Sequence, residues 1–241
     1  MKDHINRHKG KMAVVLGSGP SLHGLDRDYL LCFPGPIIAV NSAILKAGRY
    51  ADYYFSCDFG MTVWRSWPLL RRLPCELILY DVDVGWRYLE KLTHEDTFEG
   101  IDESRITYFD MKDDYAMLPE PPLLRGSSSA QVAVHFAHIM GCSPIVLLGC
   151  DCKYVGDKYH FYDYGPEGRR DDYRCDEYKD FKPRGLIQQT GNSNKYLDGH
   201  VACWQKIQDA NPGIKIIDCS GGRLTMFPQM TLKDVMEKYA S

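Results

Sequence analysis

Five short clusters of polar and glycine residues could carry chemistry in this chain. Gly17-Ser18-Gly19-Pro20-Ser21-Leu22 directly follows an apolar run. Glycines at such a place let backbone N–H groups approach a phosphate, and Ser18 and Ser21 add hydroxyl donors. Leu22 replaces the third glycine of G-x-G-x-x-G, and no Gly-Lys-Ser/Thr follows as a Walker loop requires. A plain dinucleotide site loses ground, and a tight turn without ligand is the plainer alternative. Asn41-Ser42 and Ser56-Cys57-Asp58 each close a further apolar run. An acid at such an edge can hold a ribose hydroxyl, whereas an Asn can both donate to and accept from a base or phosphate. Arg125-Gly126-Ser127-Ser128-Ser129 precedes the clearest helical pattern, so unpaired N–H groups, three hydroxyls and a positive dipole end face one mouth. Gly149-Cys150-Asp151-Cys152 ends another apolar run, with Asp151 placed to anchor a loop or hold substrate. His200 follows Asp198-Gly199 and is expected to begin a helix. With an unperturbed pKa of about 6.5, a mostly neutral imidazole can take a proton from an attacking hydroxyl.

Other combinations are weaker. Cys150, Cys152 and His160 lack the fourth ligand and the spacing of a closed zinc site, so no metal is assigned. His135 and His138, three apart within a helical pattern, read as partly exposed helix residues.

Such clusters need elements to hold them level. Short β-rich apolar runs at 12–17, 36–41, 51–56, 76–80, 145–149 and 214–218 suit strands buried on both faces. Several are separated by segments long enough for a helix, the doubly wound α/β pattern. In 128–140, Val132, Ala133, Phe136, Ala137 and Met140 recur at three- and four-residue steps, with Ser127 or Ser128 to cap the start and Gly141 the end. A second helix starts near 199–200, carries Val201, Trp204 and Ile207 on one face, and stops before Asn211-Pro212-Gly213. A third covers 232–239. Between about 150 and 198, tyrosines scatter among charges without period, which suggests a functional lid. The expected architecture is one Rossmann-like domain over 1–241, a mostly parallel doubly wound sheet with an irregular, aromatic-rich lid insertion.

Composition bounds the partners. With 241 residues, 44% hydrophobic and 25% charged, the chain is long enough for a full core and has ordinary globular balance. Twenty-nine basic against 32 acidic residues leave a net charge of −3, too little positive field for general nucleic-acid binding. No run approaches the ~18 apolar residues of a membrane span and no apolar leader opens the chain, so the cytoplasm is the expected location. Nine cysteines, an odd count, with Cys142, Cys203 and Cys219 in or beside apolar segments, read as reduced thiols.

Taken in order, Val14 to Leu22, Val40-Asn41-Ser42, Ser127-Ser128-Ser129 with its helix, Gly149-Cys150-Asp151, and His200 leading into Trp204 resemble two related groups. One comprises the bacterial Rossmann-like sialyltransferases and their motility-associated nonulosonate transferase relatives. The other is the 6-hydroxymethylpterin diphosphokinase MptE-like family. The first resemblance implies a transferase that moves a nonulosonate from a CMP donor to a hydroxyl acceptor. Gly17, Ser18, Gly19, Pro20, Ser21, Asn41, Ser42, Asp58, Ser127, Ser128, Ser129 and Asp151 would then bind the nucleotide and phosphate. His200 would be the general base, and Tyr154, Tyr159 or Tyr162 would hydrogen-bond the departing phosphate, with no cofactor required. The second implies ATP-dependent pyrophosphoryl transfer to a pterin, with Asp58 and Asp151 helping to hold Mg²⁺ and lid aromatics stacking on the heterocycle. Asp58 stands where the sialyltransferases favour an amide, which keeps this alternative alive. A catalytically silent nucleotide-sugar binding module using the same pocket is the third.

Overall fold

The computed structural model describes residues 1–57, 66, 69–80, 100–156, 158–161 and 195–239. Seven strands make one sheet: β1 (Ala13–Leu16), β2 (Ile37–Val40), β3 (Tyr53–Ser56), β4 (Glu76–Tyr80), β5 (Ile106–Phe109), β8 (Ile145–Leu148) and β9 (Ile216–Asp218). Their order is β5-β4-β3-β2-β1-β8-β9 and every pairing is parallel. β6 (Met111–Lys112) and β7 (Leu123–Leu124) pair separately, also in parallel. The α/β class and the apolar runs expected as strands are present. β5 lacked a signal because only Phe109 of its four residues is buried, an edge strand without an apolar run.

Burial explains why these runs are strands. Successive residues of β1 point to opposite faces, so Val14 and Leu16 pack with Ile37, Ala39, Leu77 and Val146, while Ala13 and Val15 pack with Ile38, Phe55, Ile78 and Leu147. Both faces are apolar because both are covered. On the first face lie α1 (Asp28–Leu31) and α2 (Ile44–Ala47), one turn each, and, across the loop after β9, α5 (Leu232–Tyr239), contributing Leu30, Ile44, Ala47, Leu232 and Val235. The second face receives α3 (Ser129–Ile139) and α4 (Lys195–Ala210), through Val132, Phe136, Trp204 and Ile207. Phe136 meets Tyr53 edge-on at 5.3 Å, and Trp204 meets Phe227 in the same way at 5.6 Å. Among the described residues no helix is long and apolar enough to cross a membrane, and the eight described cysteines are free thiols.

Two expectations need correction. His135 is wholly buried, not partly exposed; His138 is half-buried. His135 Nδ1 accepts from the Leu124 N–H at 2.8 Å and Nε2 donates to the Leu118 carbonyl at 2.7 Å. The ring thereby gives the Leu124 N–H of β7 an acceptor and the Leu118 carbonyl, in the loop before that strand, a donor. The second correction concerns α4, which starts at Lys195, so His200 lies in its second turn rather than at its beginning. Asn211, after its last residue, accepts from the Met117 N–H at 2.7 Å and donates to the Tyr115 carbonyl at 2.8 Å. His135 and Asn211 together pin the 113–124 loop, and with it the approach to the serines that open α3.

Burial lowers the His135 pKa to about 4. Between that value and the ordinary 6.5, the unfolded chain binds a proton that the native ring refuses, so this contribution to stability falls as pH drops through the window. The advantage of wild type over His135→Gln in urea unfolding should shrink by roughly 3 kcal/mol from pH 7 to pH 4. A constant difference would show that the ring does not stay neutral in the fold.

Candidate functional site

β1 and β8 are neighbours at the point where the chain's progress across the sheet reverses, and open α/β sheets bind ligands beyond the carboxyl ends of such strands. Here the Gly17 N–H donates to the Leu148 carbonyl and the Gly19 N–H to the Gly149 carbonyl, both at 2.7 Å. A Cβ on Gly17 would collide with the Gly149 carbonyl oxygen, and one on Gly149 with that of Gly17; Gly149 also has φ +75°. These glycines are required by the contact between two backbones. Asp151, 2% exposed, locks the bend from below: Oδ1 accepts from the Ser21 N–H at 3.1 Å and Oδ2 from the Ser21 hydroxyl at 2.9 Å. Burial raises the Asp151 pKa, against the pull of these bonds. The expected phosphate cradle is therefore narrower than the motif suggested, since the amides of Gly17, Gly19 and Ser21 are bonded within the protein. Ser21 and Asp151 anchor the loop, while Gly17, Ser18, Gly19 and Pro20 form one wall of the cleft.

Asn41, directly after β2, faces this wall. Its φ of 52° is left-handed, a conformation that Asn tolerates better than most residues. Its Nδ2 lies 3.4 Å from Ser129 Oγ, which also accepts from the Cys57 N–H, whereas its Oδ1 is buried without a hydrogen-bond partner among the described residues. An unsatisfied buried acceptor costs about 1–3 kcal/mol. A ligand donor, such as an exocyclic amine or a sugar hydroxyl, would satisfy it. Ser42, next in sequence, is not among the lining residues, and Asp58 lies outside the described residues.

The start of α3 forms the opposite wall with Ser128, Ser129 and Ala130. Ser128 is the N-cap in extended conformation, and Gln131 completes a capping box, its Oε1 accepting from the Ser128 N–H at 3.1 Å. Free N–H groups and the positive end of an eleven-residue helix suit an anion here. Ser127 does not line the cleft; its hydroxyl is 2.8 Å from His200 Nδ1. His200 does line it, at 9% exposure, and burial holds its imidazole below the ordinary range, so the ring is neutral at pH 7. Trp204, one turn further along α4, lies beside it in the wall.

The first residues of the expected lid fold back over the glycine bend. The Phe161 N–H and His160 Nδ1 both donate to the Ser18 carbonyl, at 3.1 and 3.2 Å, and Phe161 is buried in the core. Tyr159 and His160 enter the cleft, Tyr154 stands behind Tyr159 with ring centroids 5.2 Å apart, and Tyr162 lies outside the described residues. Cys152, with φ 50°, and Lys153 line the same rim. Burial pushes the Cys152 thiol up to about 12 and Cys150 well above its usual range, so neither supplies a thiolate. Among the described residues no three His, Cys, Asp or Glu side chains are grouped to hold a metal.

Three participants escaped the sequence reading. Gln131 was legible as the last residue of Ser128-x-x-Gln, a capping box. His160 stands out in the sequence only as a metal-ligand type beside Cys150 and Cys152, and Lys153 carries no signal. Compared with known proteins, the chain matches no family model and no curated protein sequence.

Gly17→Ala and Gly149→Ala, which force a Cβ into facing backbone, should each lower stability by at least about 2 kcal/mol in urea unfolding. Ser42→Ala should change it by no more than about 0.5 kcal/mol. If both glycine variants behave like Ser42→Ala, the two backbones have room that the described contact denies them.

Proposed function

We propose that the protein is a glycosyltransferase of sialyltransferase-like type, transferring a nonulosonate from a CMP donor to a hydroxyl acceptor. One observation carries this reading: a buried, neutral His200 lines the same cleft as the glycine bend 180 residues earlier, across from the N-terminus of α3. A base, an anion site and a hydrogen-bonding amide are the parts such a transfer needs. The resemblance in motif order supplies the donor class.

In this reading the acceptor oxygen forms a bond to the anomeric carbon as the bond from that carbon to the phosphate oxygen breaks. CMP leaves with the electron pair, and His200 takes the acceptor's proton. Negative charge grows on the leaving phosphate, where the α3 amides, Tyr159 and Lys153, all from the cleft lining, would stabilise it. Asn41 Oδ1 would accept from the nucleoside. Low polarity around His200 favours the neutral ring that must act as base. Tyr154, through its contact with Tyr159, supports the leaving-group side.

CMP at 100 times its dissociation constant should add ~2.7 kcal/mol of stability, read as a rise in Tm without added metal. His200→Ala should keep that rise yet lower CMP release from a CMP-nonulosonate by at least about 10²-fold. A shift seen only with ATP and Mg²⁺, and enhanced by a pterin, would replace this reading with pyrophosphoryl transfer. Binding of CMP-sugar without turnover under any acceptor would leave a silent binding module.

A further inference from the structure

His200 is held by a group of atoms that the catalytic reading does not use. Its Nδ1 is 2.8 Å from Ser127 Oγ, and Ser127 Oγ is 3.0 Å from Gln131 Oε1. The same Oε1 accepts from the Ser127 N–H at 2.7 Å and the Ser128 N–H at 3.1 Å. The other end of that amide, Nε2, donates to the His200 carbonyl at 3.1 Å. Gln131 is wholly buried. One side chain therefore grips the serine loop, the backbone of α4 and, through Ser127, the imidazole.

We propose that Ser127 and Gln131 are positioning residues that control where His200 carries its proton. With Nδ1 held by Ser127, proton exchange with a ligand falls to Nε2. For Nε2 to accept, Nδ1 must carry a hydrogen and the Ser127 oxygen must receive it, sending its own hydrogen to Gln131 Oε1. When the Ser127 hydrogen instead turns to Nδ1, Nε2 carries the ring proton and cannot act as base. The serine hydroxyl is thus a two-position rotor, and the strength of the acceptor at residue 131 sets its preference. Gln131 stabilises the imidazolium through this chain without touching a ligand. The proposal rests on the reading of His200 as base and removes Ser127 from the phosphate ligands.

Among the described residues, the charged and titratable side chains of the cleft and of the start of α4 have partners of their own. Asp198 on α4 is paired with Arg223, and Asp151 is bonded to Ser21. Lys153 donates to the Gly221 carbonyl, and His160 to that of Ser18. None of these changes in variants at 127 or 131, so their effect cancels in a comparison.

The test is a titration of the His200 imidazole by ¹H–¹⁵N NMR on the full chain, with His200→Asn used to assign the signal. Gln131→Glu retains an oxygen that accepts from Ser127 N–H, Ser128 N–H and Ser127 Oγ, so the cap survives, while its second oxygen gives up the bond that Nε2 made to the His200 carbonyl. It should raise the His200 pKa by about one unit or more, as an opposite charge at this range does. Ser127→Ala should lower it and alter the tautomer ratio, and Ser127→Thr should restore both. Gln131→Glu and Ser127→Ala values within about 0.3 units of wild type would overturn the proposal. Because the ring itself is observed, the result stands apart from turnover. A moved pKa without CMP release sinks the transferase reading alone, whereas CMP release with an unmoved pKa sinks the relay alone. Where both hold, the acidic limb of the kcat profile should move with the NMR pKa while KM for the donor stays within about twofold.

Discussion

The contact between the backbones of Gly17 and Gly149 is the constraint from which the cleft follows. The parallel neighbours β1 and β8 end side by side, and neither end has room for a Cβ. Their amide and carbonyl groups bond to one another, and Asp151 then fastens Ser21 beneath the bend. The arrangement fixes the bend and uses the N–H groups of Gly17, Gly19 and Ser21 within the protein. On the other wall α3 begins, and a helix N-terminus suits an anion.

That wall is itself held by buried polar groups rather than by apolar packing alone. Gln131, His135 and Asn211 lie inside the fold, and each bonds backbone groups of another segment. Buried donors and acceptors left unpaired are costly, so the loss of any one of these tethers is destabilising. Gln131 in particular ties the start of α3 to the backbone of α4, and Ser127 lies within hydrogen-bond distance of His200. The same burial removes charge: His200 is neutral, and of the described lining residues only Lys153 and Asp151 carry a formal charge.

The core was largely legible because it depends on local pattern. Six apolar runs, the step of three and four along α3, and the Asn-Pro-Gly stop after α4 each follow from the preferences of a few consecutive residues. β5 was missed because an edge strand needs no apolar run, whereas the early start of α4 was signalled by Leu197, which lies four residues before Val201 and seven before Trp204 and is buried with that face. His135 was misread because a histidine's burial depends on what lies opposite, here an amide of Leu124 and the carbonyl of Leu118.

Sequence by itself determined the class of fold and the residue types at the carboxyl edge, since both arise from short-range periodicity and from glycine's lack of a side chain. Only the tertiary structure decided what each polar residue does there. It separated cleft residues such as Asn41, Ser129 and His200 from anchors such as Ser21 and Ser127, left Asp151 both lining the cleft and anchoring the bend, and introduced Gln131. The physical reason is that a hydrogen-bonding group has no preferred partner until folding brings one within about 3 Å, and nearly every partner here comes from another element of the fold.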